Sequence, residues 1–195
     1  MTPTVVFDLG GILVRLNPGW TRLNGLDRDT VRAWLATDGR FFAHERGELS
    51  DARFLDGLRH CGTPPLSIDA ARDAFARCID GHYDGALRLL DELKAHGIRT
   101  ACLSNTNPIH WAVFDPNRRL RRRLDVVLAS HHLGARKPER AVYERAAAIL
   151  QAPVRFFDDN DHNVAAARAC GWDAIRVDPA DPIPALRTHL SDLLG

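Results

Sequence analysis

Hydrophobic positions along the chain fall into two kinds of pattern. Short unbroken apolar runs occur at TVVF (4–7), IRTACL (98–103), VVLA (126–129) and VRFF (154–157), with AIRV (174–177) further on. Runs of this length, rich in β-branched and aromatic residues, mark strands buried on both faces. Between them, apolar residues recur at helical spacing. ALRLLDELKAHG (86–97) repeats Leu at i, i+3 and i+4 and stops at Gly97. ERAVYERAAAIL (139–150) is built of helix formers behind Pro138, and DHNVAAARACG (161–171) opens on Asp and closes on Gly. Strands alternating with helices imply right-handed crossovers and a doubly wound parallel sheet, an α/β Rossmann-like core.

Residues 15–82 follow a different rule. DRDTVRAWLA (27–36), SDARFLDGLRHCG (50–62) and SIDAARDAFARCI (67–79) are amphipathic helix patterns, with no convincing strand among them. They lie between the first and second strands of the predicted sheet. The expected organisation is a core formed by 1–14 and 83–195, with a small all-helical cap, 15–82, over the carboxyl ends of the strands.

Composition narrows the partners. A chain of 195 residues with net charge +1 has no global pull toward nucleic acid or membrane, and it contains no 18-residue apolar run. RRLRRR (118–123) lacks aromatic interleaving and reads as a solvated helix face. The start of the chain runs straight into a strand pattern without a signal-peptide profile, so a cytoplasmic enzyme is expected, monomeric or homodimeric. Cys61, Cys78, Cys102 and Cys170 show no CxxC pairing and read as incidental thiols. The 26 basic residues include only two lysines, Lys94 and Lys137, which singles out each lysine in an arginine-rich chain.

In doubly wound sheets, ligands bind at the carboxyl edge of the strands. The first run ends in Asp8 and the second in Ser104-Asn105. The third leads through GARKP to Lys137, and the fourth ends in Asp158-Asp159. One strand-end Asp is usually a cap or turn residue; four polar strand ends in register are hard to explain as caps. Asp8, Asp158 and Asp159 together are unfavourable unless a cation holds them ionised, and an all-oxygen set selects a hard ion, Mg²⁺. Gly10 and Gly11 let the backbone approach an ion and a phosphate closely, with Gly11 a candidate at the substrate. Lys137 adds a compact positive charge, and Ser104 and Asn105 are candidate donors to phosphoryl oxygens. These parts fit phosphoryl transfer through an aspartyl-phosphate on Asp8. No G-x-S-x-G surrounds Ser104, and neither a P-loop nor a G-x-G-x-x-G is present.

The order and spacing of these segments resemble the haloacid dehalogenase superfamily of hydrolases over essentially the whole chain. FDLGGILV matches the first motif, with Asp8 as nucleophile, and LSNTN the second through Ser104 and Asn105. GARKPERAVYE matches the third through Lys137, and FFDDNDHNVAAARACGW the fourth through Asp158 and Asp159. HERGELS (44–50) resembles the cap signature of a subgroup containing glucose-1-phosphate phosphatases and the phosphatase domain of soluble epoxide hydrolase. The resemblance implies a Mg²⁺-dependent phosphatase acting on a small phosphate ester, with the backbone carbonyl of Gly10 as one metal ligand.

One departure bears on the substrate. The resembled phosphatases usually carry Asp two residues after the nucleophile as general acid and base, and this chain has Gly10. A missing general acid costs about 10²–10⁴ in rate. That loss is tolerable when the leaving oxygen is already good, as in an anomeric sugar phosphate, the favoured substrate, or an acyl phosphate. His131 or His132 is a candidate replacement donor, with loop polarity the plainer explanation. Trp20, Phe41, Phe42, His44, Glu45 and Arg46 are the cap side chains most relevant to the leaving group, with Arg46 expected at the substrate. Two other readings stay open: a metal-independent dehalogenase, disfavoured by the paired acids, and an impaired active site retained for binding.

Overall fold

The computed structural model describes residues 2–21, 25–151 and 153–195. The chain begins with β1 (Thr4–Phe7) and β2 (Val14–Leu16), followed by α1 (Arg28–Thr37), α2 (Arg40–Glu45), α3 (Asp51–Leu58) and α4 (Ile68–Ala76). Next come β3 (Ile79–His82), α5 (Ala86–Ala95), β4 (Thr100–Ser104), α6 (Pro108–Val113), β5 (Val126–Ala129) and α7 (Ser130–Leu133). The chain closes with α8 (Arg140–Leu150), β6 (Val154–Asp158), α9 (Asp161–Ala169), β7 (Asp173–Arg176), α10 (Pro182–His189) and α11 (Ser191–Leu194).

Five strands form one sheet in the order β5-β4-β1-β6-β7, every pair parallel. Both faces are covered, which is why the strands read as unbroken apolar runs. Val5 and Phe7 pack on one side with Leu89, Leu90 and Leu93 of α5. Val6 points the other way, into a cluster with Val142, Tyr143 and Ala146 of α8 and Val164 and Ala167 of α9. From β1 the chain runs to β4 and β5 on one side, then crosses over from β5 to β6 and β7 on the other, so a crevice opens at the carboxyl end of β1. Phe7 pairs with both Cys102 and Phe157, a register that brings Asp8 beside Asp158.

The helices between β2 and β3 have an apolar cluster of their own. Trp20, Leu26, Val31, Phe54, Leu55, Leu58 and Phe75 are buried there with Ile109 of α6. Asp27, Ser50 and Ser67 each cap a helix by accepting from the backbone N–H three residues on.

Two sequence expectations need correction here. The 15–82 segment was expected to lack strands, yet β2 and β3 pair antiparallel at its entry and exit, Val14 opposite His82 and Leu16 opposite Ile79. Neither has a strand-like sequence; IDGH contains Asp and Gly, and the ribbon forms because the chain must leave and re-enter the core at one place. RRLRRR is a turn and not a helix face. Asp115 accepts from the Leu120 and Arg121 N–H groups, Arg121 stacks over Trp111 and Phe114, and Arg123 pairs with Asp91. Among the described residues no helix is long and apolar enough to cross a membrane.

Candidate active site

Asp8 follows the last residue of β1, and its placement is set by the turn after it. Ile12, Leu13 and Val14 N–H groups converge on the Leu9 carbonyl, and Gly11 N–H donates to the Val14 carbonyl. Gly11 has φ +77°, and a Cβ there would lie 2.7 Å from Asp159 Oδ2. Glycine at 11 is therefore required twice, by the backbone and by the neighbouring carboxylate. Its N–H is donated within the turn, and Gly11, expected at the substrate, leaves room for Asp159. Gly10 lines the cavity above Asp8.

Lys137 lies fully buried beneath this turn. Its Nζ is 2.9 Å from Asp8 Oδ1 and 2.6 Å from Asp158 Oδ2. Asn105 fixes the lysine backbone from β4: Oδ1 accepts from Lys137 N–H at 2.7 Å and Nδ2 donates to Lys137 C=O at 2.8 Å. That pairing commits the Asn105 amide to positioning Lys137, and Asn105, expected at the substrate, also lines the cavity. Ser104 stays at the cavity wall.

The two acids of the doublet separate because successive strand residues point to opposite sides. Asp158 is fully buried, and both of its oxygens are engaged. Oδ1 accepts from Asn160 N–H (2.9 Å) and Asn163 Nδ2 (3.0 Å), while Oδ2 accepts from Lys137 Nζ and Asn163 Nδ2 (3.1 Å). Asn160 also caps α9, which places Asn163 one turn in. Asp159 instead lines the cavity with Asp8.

One oxygen from each of Asp8, Asp158 and Asp159 lies within 4.8 Å of the others. Three carboxylates against one ammonium leave two negative charges uncompensated if all are ionised. Burial, opposed by Lys137 and reinforced by the neighbouring acids, pushes the Asp8 carboxyl up to about 7. Burial and then Asp158 raise Asp159. For Lys137, burial pulls downward, but the two carboxylates outweigh it and hold the ammonium charged. A divalent cation fits both the charge deficit and the donor set, since hard oxygens select a hard ion. Asp8, Asp158 and Asp159 each bring one carboxylate oxygen to it, with Gly10 at the cavity wall. Asp158, also expected as a ligand, brings one oxygen within 4.8 Å of Asp8 and Asp159, and its oxygens also accept from Lys137, Asn160 and Asn163.

A cavity of about 250 Å³ lies above these groups, lined on one side by Asp8, Gly10, Ser104, Asn105 and Asp159. A larger hollow of about 520 Å³, beside His82, Arg88 and Arg119, contains none of these carboxylates. From α2, Glu45 and Phe41 reach the smaller cavity. Glu45 accepts from Arg136 Nε at 2.7 Å, and burial pushes its carboxyl upward against the pull of that arginine. Arg46, expected at the substrate, is paired with Glu48 (3.0 Å) and Glu139 (3.1 Å) and is not among the lining residues.

The remaining aromatic and histidine candidates sit around the cavity and not in it. Trp20 packs against Phe75, Phe42 lies under the Arg136 guanidinium, and His44 is stacked on Phe54 with Asp51 at 2.8 Å. Neither His131 nor His132 lines the cavity. His131 Nδ1 pairs with the Thr106 carbonyl, and burial followed by His132 lowers its pKa to about 4. Sequence reasoning missed Leu16, Ile79, His110 and Phe114 as lining residues; all come from segments whose apolar character is equally that of a core.

Comparison with known proteins agrees with this geometry. A family model described as haloacid dehalogenase-like hydrolase matches residues 2–171. A HAD family enzyme from Bacteroides thetaiotaomicron, solved with magnesium and inorganic phosphate, is 22% identical with TM-score 0.80, covering 95% of this chain and 99% of that one. A structure described as a predicted HAD-like family hydrolase from Porphyromonas gingivalis is 26% identical with TM-score 0.80, covering 97% and 98%. L-2-haloacid dehalogenase from Xanthobacter autotrophicus is 21% identical with TM-score 0.68, covering 100% of this chain and 85% of that one.

Proposed function

Because the chain belongs to the haloacid dehalogenase-like hydrolases, we propose that it is a Mg²⁺-dependent phosphatase of small, activated phosphate monoesters, with Asp8 as nucleophile. The observation that carries this is the buried Lys137 ammonium set between Asp8 and Asp158, with Asp159 open to the same cavity. Asp8 Oδ1 is held by Lys137 and by Leu9 N–H at 2.7 Å, which fixes the carboxylate and leaves Oδ2 outside both bonds. Oδ2 attacks phosphorus, the bond to the leaving oxygen breaks, and an aspartyl-phosphate forms. Water then attacks that phosphorus, one proton passes to solvent, and phosphate and the Asp8 carboxylate are released. Lys137 keeps Asp8 ionised in a buried setting, and Ser104 holds the phosphoryl group. Asp8, Asp159 and the Gly10 carbonyl would hold Mg²⁺, which supplies charge neutralisation at the phosphoryl oxygens.

A metal-independent dehalogenase is the second reading, favoured only by structural neighbours such as the Xanthobacter enzyme. The Asp8–Asp159 pair on one cavity wall weighs against it, since such a pair needs a cation. The deciding experiment measures phosphate release from acyl, aryl and sugar phosphates with Mg²⁺ and with chelator, for the parent chain and Asp8→Asn. Turnover that requires both Mg²⁺ and Asp8 is expected. Halide release from a 2-haloacid in the presence of chelator would replace this reading with the dehalogenase one.

A further inference from the structure

Much of the rest of the cavity lining is apolar. Val14 and Leu16 of β2, Cys78 and Ile79 at β3, Phe41 of α2 and Phe114 after α6 form that part. Two of the polar groups beside them, His110 and Glu45, are already engaged, and Thr106 adds a hydroxyl to the lining. Burial lowers the His110 ring to about 4, so it is neutral near pH 7. Its Nε2 lies 2.9 Å from the Phe75 carbonyl and its Nδ1 3.2 Å from Asn107 Nδ2, which uses both nitrogens. Glu45 is tied to Arg136. The apolar wall also reaches position 10: a Cβ on Gly10 would lie 3.2 Å from Leu16 Cδ1. A hydrocarbon group thus stands next to the place where an acid would project.

We propose that the leaving group accepted by this site is small and apolar, so that the substrate is an acyl or aryl phosphate and not a sugar phosphate. This rests on the phosphatase reading above. A sugar brings several hydroxyls, and each would lose its water against Val14, Leu16, Ile79, Phe41 and Phe114 without gaining a partner. A carboxylate or phenolate leaving group solves both features together. It departs with the bonding electron pair when Asp8 takes the phosphoryl group, and as a weak base it needs no proton at that moment. Its carbon skeleton fills the apolar wall. The volume, about 250 Å³, suits a skeleton of a few carbons or one ring.

The test separates contact from reactivity by using acyl phosphates of equal leaving-group acidity. Acetyl, propionyl and butyryl phosphate are compared with phenyl phosphate and α-glucose 1-phosphate in Mg²⁺. Each added methylene is expected to raise kcat/KM about fourfold until the cavity is full. The best acyl or aryl substrate is expected to exceed the sugar phosphate at least tenfold. The acyl arm and the phenyl arm tell which apolar source is preferred. Leu16→Gln is expected to flatten the series; this side chain is 48% exposed, so the fold tolerates the change. Ile79→Thr gives the same readout from the facing strand. A flat series in the parent chain, or a sugar phosphate equal to or better than the acyl and aryl phosphates, overturns the proposal while leaving the phosphatase reading in place. Absence of Asp8-dependent turnover on every phosphate overturns both.

Discussion

Replacing Lys137 by Met removes the charge and keeps most of the buried volume. In the parent chain the ammonium contacts Asp158 at 2.6 Å and Asp8 at 2.9 Å, with its side chain fully buried. Breaking a buried ion pair by deleting one partner costs about 3–5 kcal/mol, because the other charge is stranded. Here two carboxylates are stranded. Asp158 retains Asn163 and the Asn160 N–H, whereas Asp8 retains only the Leu9 N–H among its recorded donors. Asp8 therefore takes up a proton: burial already pushes it to about 7, and Lys137 is the chief influence holding it down. The sign follows from proton linkage. A carboxyl raised in the folded state binds more protons than in the unfolded chain, so the variant is least destabilised at low pH and loses stability as pH rises through the raised value. For a chain of this length each kcal/mol corresponds to roughly 2–4 °C. Thermal unfolding of Lys137→Met at pH 8.5 should thus fall about 6–20 °C below the parent, with a smaller gap at pH 5.5. Mg²⁺ should recover part of the loss at pH 8.5. A melting temperature within 2 °C of the parent at both pH values would show that the ammonium does not balance these acids.

Two further substitutions probe the surroundings. Gly11→Ala meets Asp159 Oδ2 at 2.7 Å and adopts a left-handed backbone, which costs about 1–2 kcal/mol. Calorimetric titration should show Mg²⁺ binding at least tenfold weaker, and unchanged binding would remove Asp159 from the ion site. His110 is held near 4 by burial, below its ordinary 6.5. Its stabilising contribution is present above pH 6.5 and lost as pH falls toward 4, because the unfolded chain is protonated first; at 1.36 kcal/mol per unit this is at most about 3 kcal/mol. His110→Phe should flatten urea-measured stability across that window, and an unchanged slope would assign the acid sensitivity to another group.

The strand ends were legible in the sequence for a physical reason. A parallel sheet covered on both faces makes each strand apolar throughout, so the first polar residue marks its edge; Asp8 and Asp158 stand out in this way. The pattern does not say which of two adjacent polar residues faces the crevice. Asp158 turns inward to Lys137 and Asp159 outward, and on α2 Glu45 faces the cavity while Arg46 turns to Glu139. Those choices depend on packing between segments distant in sequence. The apolar wall was illegible for the same reason, since Leu16 and Ile79 meet only through a ribbon of short strands whose local propensity is weak. Lys137 was the clearest signal, because an arginine-rich chain kept an ammonium at the one position where a compact, buried point charge is needed.

The ARKP segment links the two halves of the site mechanically. Lys137 points into the core to Asp8 and Asp158, while the preceding Arg136 reaches Glu45 at 2.7 Å and stacks over the Phe42 ring at 4.3 Å. Two residues after Lys137, Glu139 accepts from Arg46 and, through Oε2, from the Arg136 N–H. The helix α2 and the counterion of Asp8 are thus fastened to the same four residues. A Cβ at Gly47 would come within 2.4 Å of the His131 carbonyl, so the chain leaving α2 lies directly against α7. Displacing α2 requires parting Arg136 from Glu45 and Arg46 from Glu139, and Glu45 would carry an unpaired charge away from a buried position. The Phe41 side of the cavity, carried on α2, is therefore held in place by the same loop that sets Lys137 against Asp8.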